Sequence, residues 1–374
     1  MNPTKEQTTQ VTPPYCIGLD LHCNNVVVAI KKTESKNGVL EGKLVLSKRF
    51  PVVGEAAKLQ LADALAPYCN EAGTTAVVES TYNWYWLADL FEEKGWSLKI
   101  CDPSTVSRAN IKVADDFTDA TYLAEMLRVD SIKTTPIMPK ADRAFRDFAR
   151  FRQTLVRDRA RAKITLVNLF TNHLSERIRV NALVDEAYQA IIDDRPVDGE
   201  IVASYFDEPL VRERVSSLLR LILFYDKEIA SADSLIDDRA KEDANARQLR
   251  TIKGCGRVLS TAIAVELGDL SRFPNRKSFV SYCRLAPTAK LSNGKSKGQS
   301  NAKNGNAYLS WALTELANLV IRFNPPATKF YDRNFNRTHL RVKAIRAVAA
   351  KLARAIYTML KSGESFDVNR SFGT

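Results

Sequence analysis

Cys16-Ile17-Gly18-Leu19-Asp20-Leu21 and, after a four-residue break, Val26-Val27-Val28-Ala29-Ile30 form the stretch on which the fold turns. Two short apolar runs bounded by polar residues read as buried strands joined by a tight turn. Working outward, Gly38–Phe50 reads as a third strand that bends. Glu55–Tyr68 has helical periodicity, Thr75–Val78 is a short buried strand, Trp84–Glu93 a helix and Leu98–Cys101 another strand. Phe117–Arg128 follows as a helix. Before that helix, three meandering strands are succeeded by helix, strand, helix and strand, which makes a mixed sheet with helices on its faces.

That order matches a ribonuclease H-like (RuvC-like) domain, expected over residues 15–135 after a disordered N-terminus at 1–14. From Ala141 to about His173 no Gly or Pro interrupts one long helix. Arg143, Arg146, Arg150, Arg157 and Arg161 recur there at steps of three, four or seven and so share a face. Such a stripe suits a phosphate backbone or the wet side of a coiled coil. Asn181–Asp207 is less regular, and a second long helix over about Glu208–Ala244 can return antiparallel to the first. Residues 136–245 thus read as a helical, coiled-coil dimerisation region.

Residues 246–374 read as an all-α basic domain, making the whole chain α/β plus α. Gly254 and Gly256 precede a small-residue helix, as in a helix–hairpin–helix turn whose amides face phosphate. Lys290–Asn306 is rich in Lys, Ser, Gly and Asn and reads as a flexible basic loop carrying Lys290, Lys295, Lys297 and Lys303. Ala307–Phe323 and His339–Lys361 are helical.

The chain of 374 residues carries a net charge of +12, and residues 251–374 hold 21 Lys and Arg against 6 Asp and Glu. A C-terminal third this basic implies a polyanionic partner, because each phosphate neutralised releases condensed counterions. The six cysteines form no Cys-x-x-Cys pair, which argues against a zinc site or a disulfide framework and for reduced, mostly buried thiols. No apolar run spans a bilayer, and the polar N-terminus lacks a signal-peptide core; a cytoplasmic protein is expected.

Asp20 ends an apolar strand, and Glu79 repeats the situation after Ala76-Val77-Val78. A buried charge is costly unless paired or metal-bound. In a ribonuclease H-like sheet the first and fourth strands are neighbours, so the two carboxylates converge. Asp116 and Asp119 lie three apart on one helix face. By themselves these two fit a helix cap and first turn; beside Asp20 and Glu79, four carboxylates are what two hard cations, Mg²⁺ or Mn²⁺, require for phosphodiester chemistry. Asp115 is a rival for the third position. Glu125 points elsewhere and reads as a surface acid. His22, His173 and His339 form no spaced set and read as structural or exposed. Trp84, Tyr85 and Trp86 pack a helix.

Ile17-Gly18-Leu19-Asp20, Val78-Glu79-Ser80-Thr81, Asp116-x-x-Asp119-Ala120 with Leu123-Ala124-Glu125, and Gly254-x-Gly256 occur in one order. In that order and spacing the chain resembles the DEDD-type insertion-sequence transposases, the one-ten group with its one-triple-one branch, related to the Piv invertases. The resemblance covers about residues 15–130 and 250–320. It implies site-specific DNA recombination and a nucleophilic serine five residues after the proline of a Leu-x-Pro segment. Leu285-Ala286-Pro287 is followed by Ser292, Gly298, Lys303 and Gly305-Asn306, so Ser292 is that serine by the match. Asn293 stands where a glycine is common, and Ala114-Asp115-Asp116 replaces the usual Lys-Thr-Asp. The resemblance also implies double-stranded donor and target DNA, a structured guide (bridge) RNA encoded by the element, and a homo-oligomer in which one subunit's metal site meets another's serine. Two other readings compete: a RuvC-like nuclease or strand-transferase with no covalent serine intermediate, and a non-catalytic nucleic-acid-binding protein.

Overall fold

A computed structural model describes residues 13–36, 38–80, 82–101, 115–174, 179–197, 204–286, 289–292, 295–299 and 304–373. The N-terminal tail to Thr12, Thr81, Pro287, Asn293 and Lys303 lie outside these residues. The chain falls into two compact units, one ending at Lys140 and one beginning at Ala141.

The first unit is a six-stranded sheet in the order β3-β2-β1-β4-β5-β6. Strands β1 (Tyr15–Leu21), β2 (Asn25–Lys36) and β3 (Val39–Pro51) form an antiparallel meander; β4 (Thr75–Glu79) runs parallel to β1, β5 (Leu98–Cys101) runs parallel to β4, and β6 (Thr134–Pro136) closes the edge antiparallel. This is the ribonuclease H-like order the sequence implies. The bend expected in the third strand is a register shift opposite Ile30 and Lys31, where Leu46 and Leu44 pair and Val45 is left over.

Alternation along the strands sorts the side chains onto two faces. Ile17, Leu19, Leu21, Val26, Val28, Ile30, Ala76 and Val78 pack against Leu61 and Leu65 of α1 (Glu55–Cys69) and Leu87, Ala88 and Phe91 of α2 (Tyr85–Lys94). Helix α3 (Asp116–Arg128) covers the opposite face, where Val27 and Ala29 meet Ala120, and Val77 and Cys101 meet Leu123. Gly18 makes that packing possible. A Cβ there would lie 2.0 Å from the Ala120 carbonyl oxygen and 2.6 Å from the Ala124 nitrogen, so the helix rests on bare strand backbone. Lys31 and Arg128 clasp Glu125 between sheet and helix at 2.8 and 2.5 Å. Glu125 is therefore a half-buried tie and not a loose surface acid.

The second unit begins with α4 (Lys140–Leu174). Helix α5 (Val180–Ile192) occupies the stretch that reads as irregular, and α6 (Pro209–Ala240) returns antiparallel: Arg152 pairs with Asp233, and seven residues further on Arg159 pairs with Asp226, seven residues earlier. Leu166, Leu169, Phe170, Leu183, Val184, Leu219 and Ile222 form the core of this group. A larger core holds α7 (Ala244–Leu249), α8 (Arg257–Leu267), α9 (Arg276–Tyr282), α10 (Ala307–Phe323), α11 (Pro325–Thr338), α12 (Arg341–Ser362) and α13 (Val368–Phe372) together. Gly254, at φ +104°, and Gly256, the residue before α8, form the expected turn. The expected flexible loop contains a two-stranded hairpin, β7 (Ala289–Ser292) with β8 (Lys295–Gln299). No described helix is long and apolar enough to cross a membrane.

Candidate functional site

Leu19 is in register with Val78 across the parallel pair, so the next residues, Asp20 and Glu79, leave the two strands side by side. Asp20 is in turn opposite Val27, and Val27 opposite Arg49. One row of neighbouring positions thus crosses four strands as Glu79, Asp20, Val27 and Arg49, on the face that α3 covers. The first turn of α3 brings Asp116 and Asp119 to the same place.

Asp115 and Asp116 divide the work at the helix start. The Asp115 carboxylate caps the helix by accepting from the Thr118 amide at 2.7 Å, and that bond lowers its pKa. Asp116, one residue on, turns to the sheet and accepts from Arg49 Nη2 at 2.7 Å. Ligand atoms of Asp20, His22 and Asp116 all lie within 4.8 Å of one another. His22 Nε2 stands 3.3 Å from Asp20 Oδ2 and 3.4 Å from Asp116 Oδ1. Glu79 and Asp119 are outside that tight trio but near enough for their charge to act on it. Burial raises the pKa of Asp20, His22 opposes the rise, and Asp116, Asp119 and Glu79 each add to it.

His22, read in sequence as structural or exposed, has a side chain that is 40% exposed, and the structure adds that it stands between Asp20 and Asp116. It lies in the β1–β2 turn, held by its amide to the Asn25 carbonyl at 2.9 Å and by Asn83 Nδ2 to its own carbonyl at 2.7 Å. Arg49 carries no signal in sequence, because its place in the site depends on a register two strands away. Cys23, next to His22, is exposed with its thiol against the Tyr82 hydroxyl; Cys16, Cys101, Cys255 and Cys283 are buried and Cys69 is half-buried.

Residues 17–174 match the profile of the DEDD transposases of the IS110 type, and residues 246–332 match that of the IS116/IS110/IS902 transposase family. The two profiles fall in order on separate stretches, the first spanning all four acids and the second Ser292. The chain belongs to the IS110-type DEDD transposases. It is 23% identical to the transposase of insertion sequence element IS1328 from Yersinia enterocolitica, across 94% of this chain and 98% of that one. A probable family 20 transposase of Pseudomonas aeruginosa is 24% identical across 74% of this chain and 80% of that protein. Thermus thermophilus RuvC matches 32% of this chain and 99% of its own, at 15% identity and a TM-score of 0.25.

In the transposase, Ser292 is the last residue of β7 and pairs with Lys295 across the hairpin turn. Lys290 lies in β7, and Lys297 in β8. The arginine stripe of α4 is not one wet face. Arg143 is only 2% exposed, and Arg150 is bound to Glu266 by two parallel hydrogen bonds of 2.6 and 2.8 Å. Neither is free to hold a phosphate, because burial in one case and a carboxylate in the other already occupy the guanidinium. Arg146 is partly buried, whereas Arg157 is exposed. The spacing that places these residues on one helix face is real, but a 35-residue helix packed against different neighbours along its length buries that face in parts.

Proposed function

We propose that this transposase cuts and rejoins DNA at specific sites, using a divalent-metal centre held by Asp20, Glu79, Asp116 and Asp119 and Ser292 as a covalent nucleophile. The crowding of acids around Asp20 carries this reading. Three carboxylates oppose the ionisation of a fourth that is already partly buried, and His22 beside Asp20 and Arg49 on Asp116 offset this only in part, an arrangement that a divalent cation would relieve. The four carboxylates offer oxygen donors that suit Mg²⁺ or Mn²⁺, with the His22 imidazole beside Asp20 and Asp116, and such an ion would supply charge neutralisation and Lewis acidity at phosphate oxygens.

The chain's own residues do the positioning. Asp20 and Glu79 are fixed by strand register, Asp116 and Asp119 by a helix whose start is capped independently by Asp115. Ser292 Oγ forms a bond to phosphorus as the bond from phosphorus to one sugar oxygen breaks. The serine proton leaves to solvent, the freed sugar oxygen takes one up, and attack by an incoming sugar hydroxyl reverses the exchange. The basic C-terminal third and the hairpin lysines Lys290, Lys295 and Lys297 suit double-stranded DNA. A structured guide RNA and a homo-oligomer, both implied by the family resemblance, complete the proposal.

A nicked DNA substrate tests it. Wild-type protein with Mg²⁺ is expected to yield a protein–DNA adduct that maps to Ser292 and is absent from Ser292→Ala. Cleavage by Ser292→Ala at the wild-type rate would replace the covalent route with a metal-activated water or 3′-hydroxyl.

A further inference from the structure

Glu266 is the one acid in α8, among Val258, Leu259, Ala262, Ile263, Ala264 and Val265, and it is 5% exposed. A carboxylate buried on an apolar helix is retained at a cost unless its oxygens are fully engaged. Here they are. Arg150 of α4 donates from Nε to Oε1 and from Nη2 to Oε2, and Asn306 Nδ2 donates to Oε2 at 2.6 Å. The Arg150 guanidinium also lies 4.5 Å over the ring of Tyr308.

Asn306 is itself buried, and its side chain works in two directions. While Nδ2 holds Glu266, Oδ1 accepts from the amides of Tyr308 and Leu309 at 2.8 and 3.0 Å, capping α10. The same short segment is fixed to the far end of the hairpin-bearing stretch. The Asn306 amide donates to the Tyr282 carbonyl at 2.6 Å, and Arg284 Nε donates to the Gly305 carbonyl at 2.8 Å. Gly305, at φ +102°, admits no side chain, since a Cβ would lie 2.4 Å from the Tyr282 oxygen. The hairpin therefore leaves the core near Arg284 and returns at Gly305 through a closed clasp, and one buried carboxylate joins that clasp to the long helix α4.

We propose that Glu266 is a positioning residue for the transfer reaction: with Arg150 and Asn306 it fixes the return point of the serine hairpin to α4, so that Ser292 is presented in one orientation. This rests on the reading of Ser292 as the nucleophile. A buried, bidentate Arg–carboxylate pair has a sharp geometric optimum, which is what an anchor for a two-stranded excursion needs.

The test uses full-length protein and compares wild type, Glu266→Gln, Arg150→Lys and Ser292→Ala on the nicked substrate. At saturating DNA the rate of adduct formation is expected to fall at least tenfold in Glu266→Gln and Arg150→Lys. Their DNA affinity should stay within twofold of wild type, and amide exchange at Tyr308 and Leu309 should quicken. An unchanged adduct rate alongside faster exchange would make the clasp structural only and overturn the proposal. Arg150→Lys keeps the charge and decides the matter if Glu266→Gln fails to fold. An adduct that persists in Ser292→Ala would instead remove the nucleophile reading, and this proposal with it; a serine-dependent adduct with normal rates in both clasp variants removes the positioning role alone.

Discussion

Asp20 stands in a row that crosses four strands, with β2 and β4 on either side and a helix over its face, whereas Ser292 ends a four-residue strand whose hairpin is tied to its unit through Arg284, Gly305 and Asn306. The acids are held by backbone register and close packing, so their geometry is a property of the sheet. The hairpin is held at its base by a backbone hydrogen bond, Asn306 to Tyr282, and by the polar side chains of Arg284 and Asn306, so much of its geometry rests on the partners of those side chains. A site built the first way fails when backbone cannot approach backbone; one built the second way fails when a carboxylate loses its arginine.

The acid cluster should break most sharply at its centre. Asp20→Asn is expected to lose about 10³–10⁴-fold in strand cleavage, the scale on which single members of a catalytic set act. Without added metal its melting temperature should rise, because an acid with a raised pKa destabilises the fold as pH climbs above the ordinary carboxylate range, and the amide removes that charge. Cleavage by Asp20→Asn at the wild-type rate would dissolve the metal reading.

Gly18→Val attacks the same site without touching an acid. The new side chain meets the backbone of α3, so the helix and its two aspartates must shift, at a cost of about 1–3 kcal/mol or more in denaturant unfolding, with cleavage lost while DNA binding persists. On the other side of the comparison, Arg150→Met leaves Glu266 buried with its charge unpaired and only Asn306 donating to it, and should cost about 3–5 kcal/mol. Adding Glu266→Met should recover much of that loss, and additive losses in the double variant would show that the hairpin's anchor does not rest on this ion pair.

The smallest effect is expected at Glu125. Arg128 is the chief cause holding its pKa down to about 2, burial working against it and Lys31 with it, from an ordinary 4.5. The stability that wild type holds over Glu125→Gln should be complete above pH 4.5 and vanish as pH falls toward 2. Acid unfolding curves of the two proteins that stay parallel across that range would show the clasp to be without weight.

The strands were legible because Cys16–Leu21 and Val26–Ile30 are apolar runs bounded by polar turns, and that local signal also located Asp20 and Glu79 at strand ends. Asp115 rivals Asp116 in sequence because either satisfies a helix start, and only the three-residue spacing to Asp119 favours Asp116; the packed helix gives capping to Asp115 and turns Asp116 toward Asp20. His22 and Arg49 were illegible for a related reason, their roles arising from a turn and from a register two strands distant. Helical spacing put Arg143 and Arg150 on one face of α4 correctly, yet periodicity along a single helix holds no information on what packs against each of its turns. Helix α11 lies between the two helices legible at Ala307–Phe323 and His339–Lys361; its opening Pro325-Pro326 fits the first turn of a helix but gives no positive signal for one.

The cysteines offer an experimental opening. Burial pushes the thiols of Cys16 and Cys255 up to about 11 and 12, raises that of Cys283 further, and holds half-buried Cys69 near 12, so these react slowly with alkylating dyes. Cys23 is exposed, one residue from His22 and three from Asp20. A maleimide fluorophore should therefore attach there first in otherwise unaltered protein, placing a reporter of cation and DNA arrival beside the carboxylates without engineering a single residue.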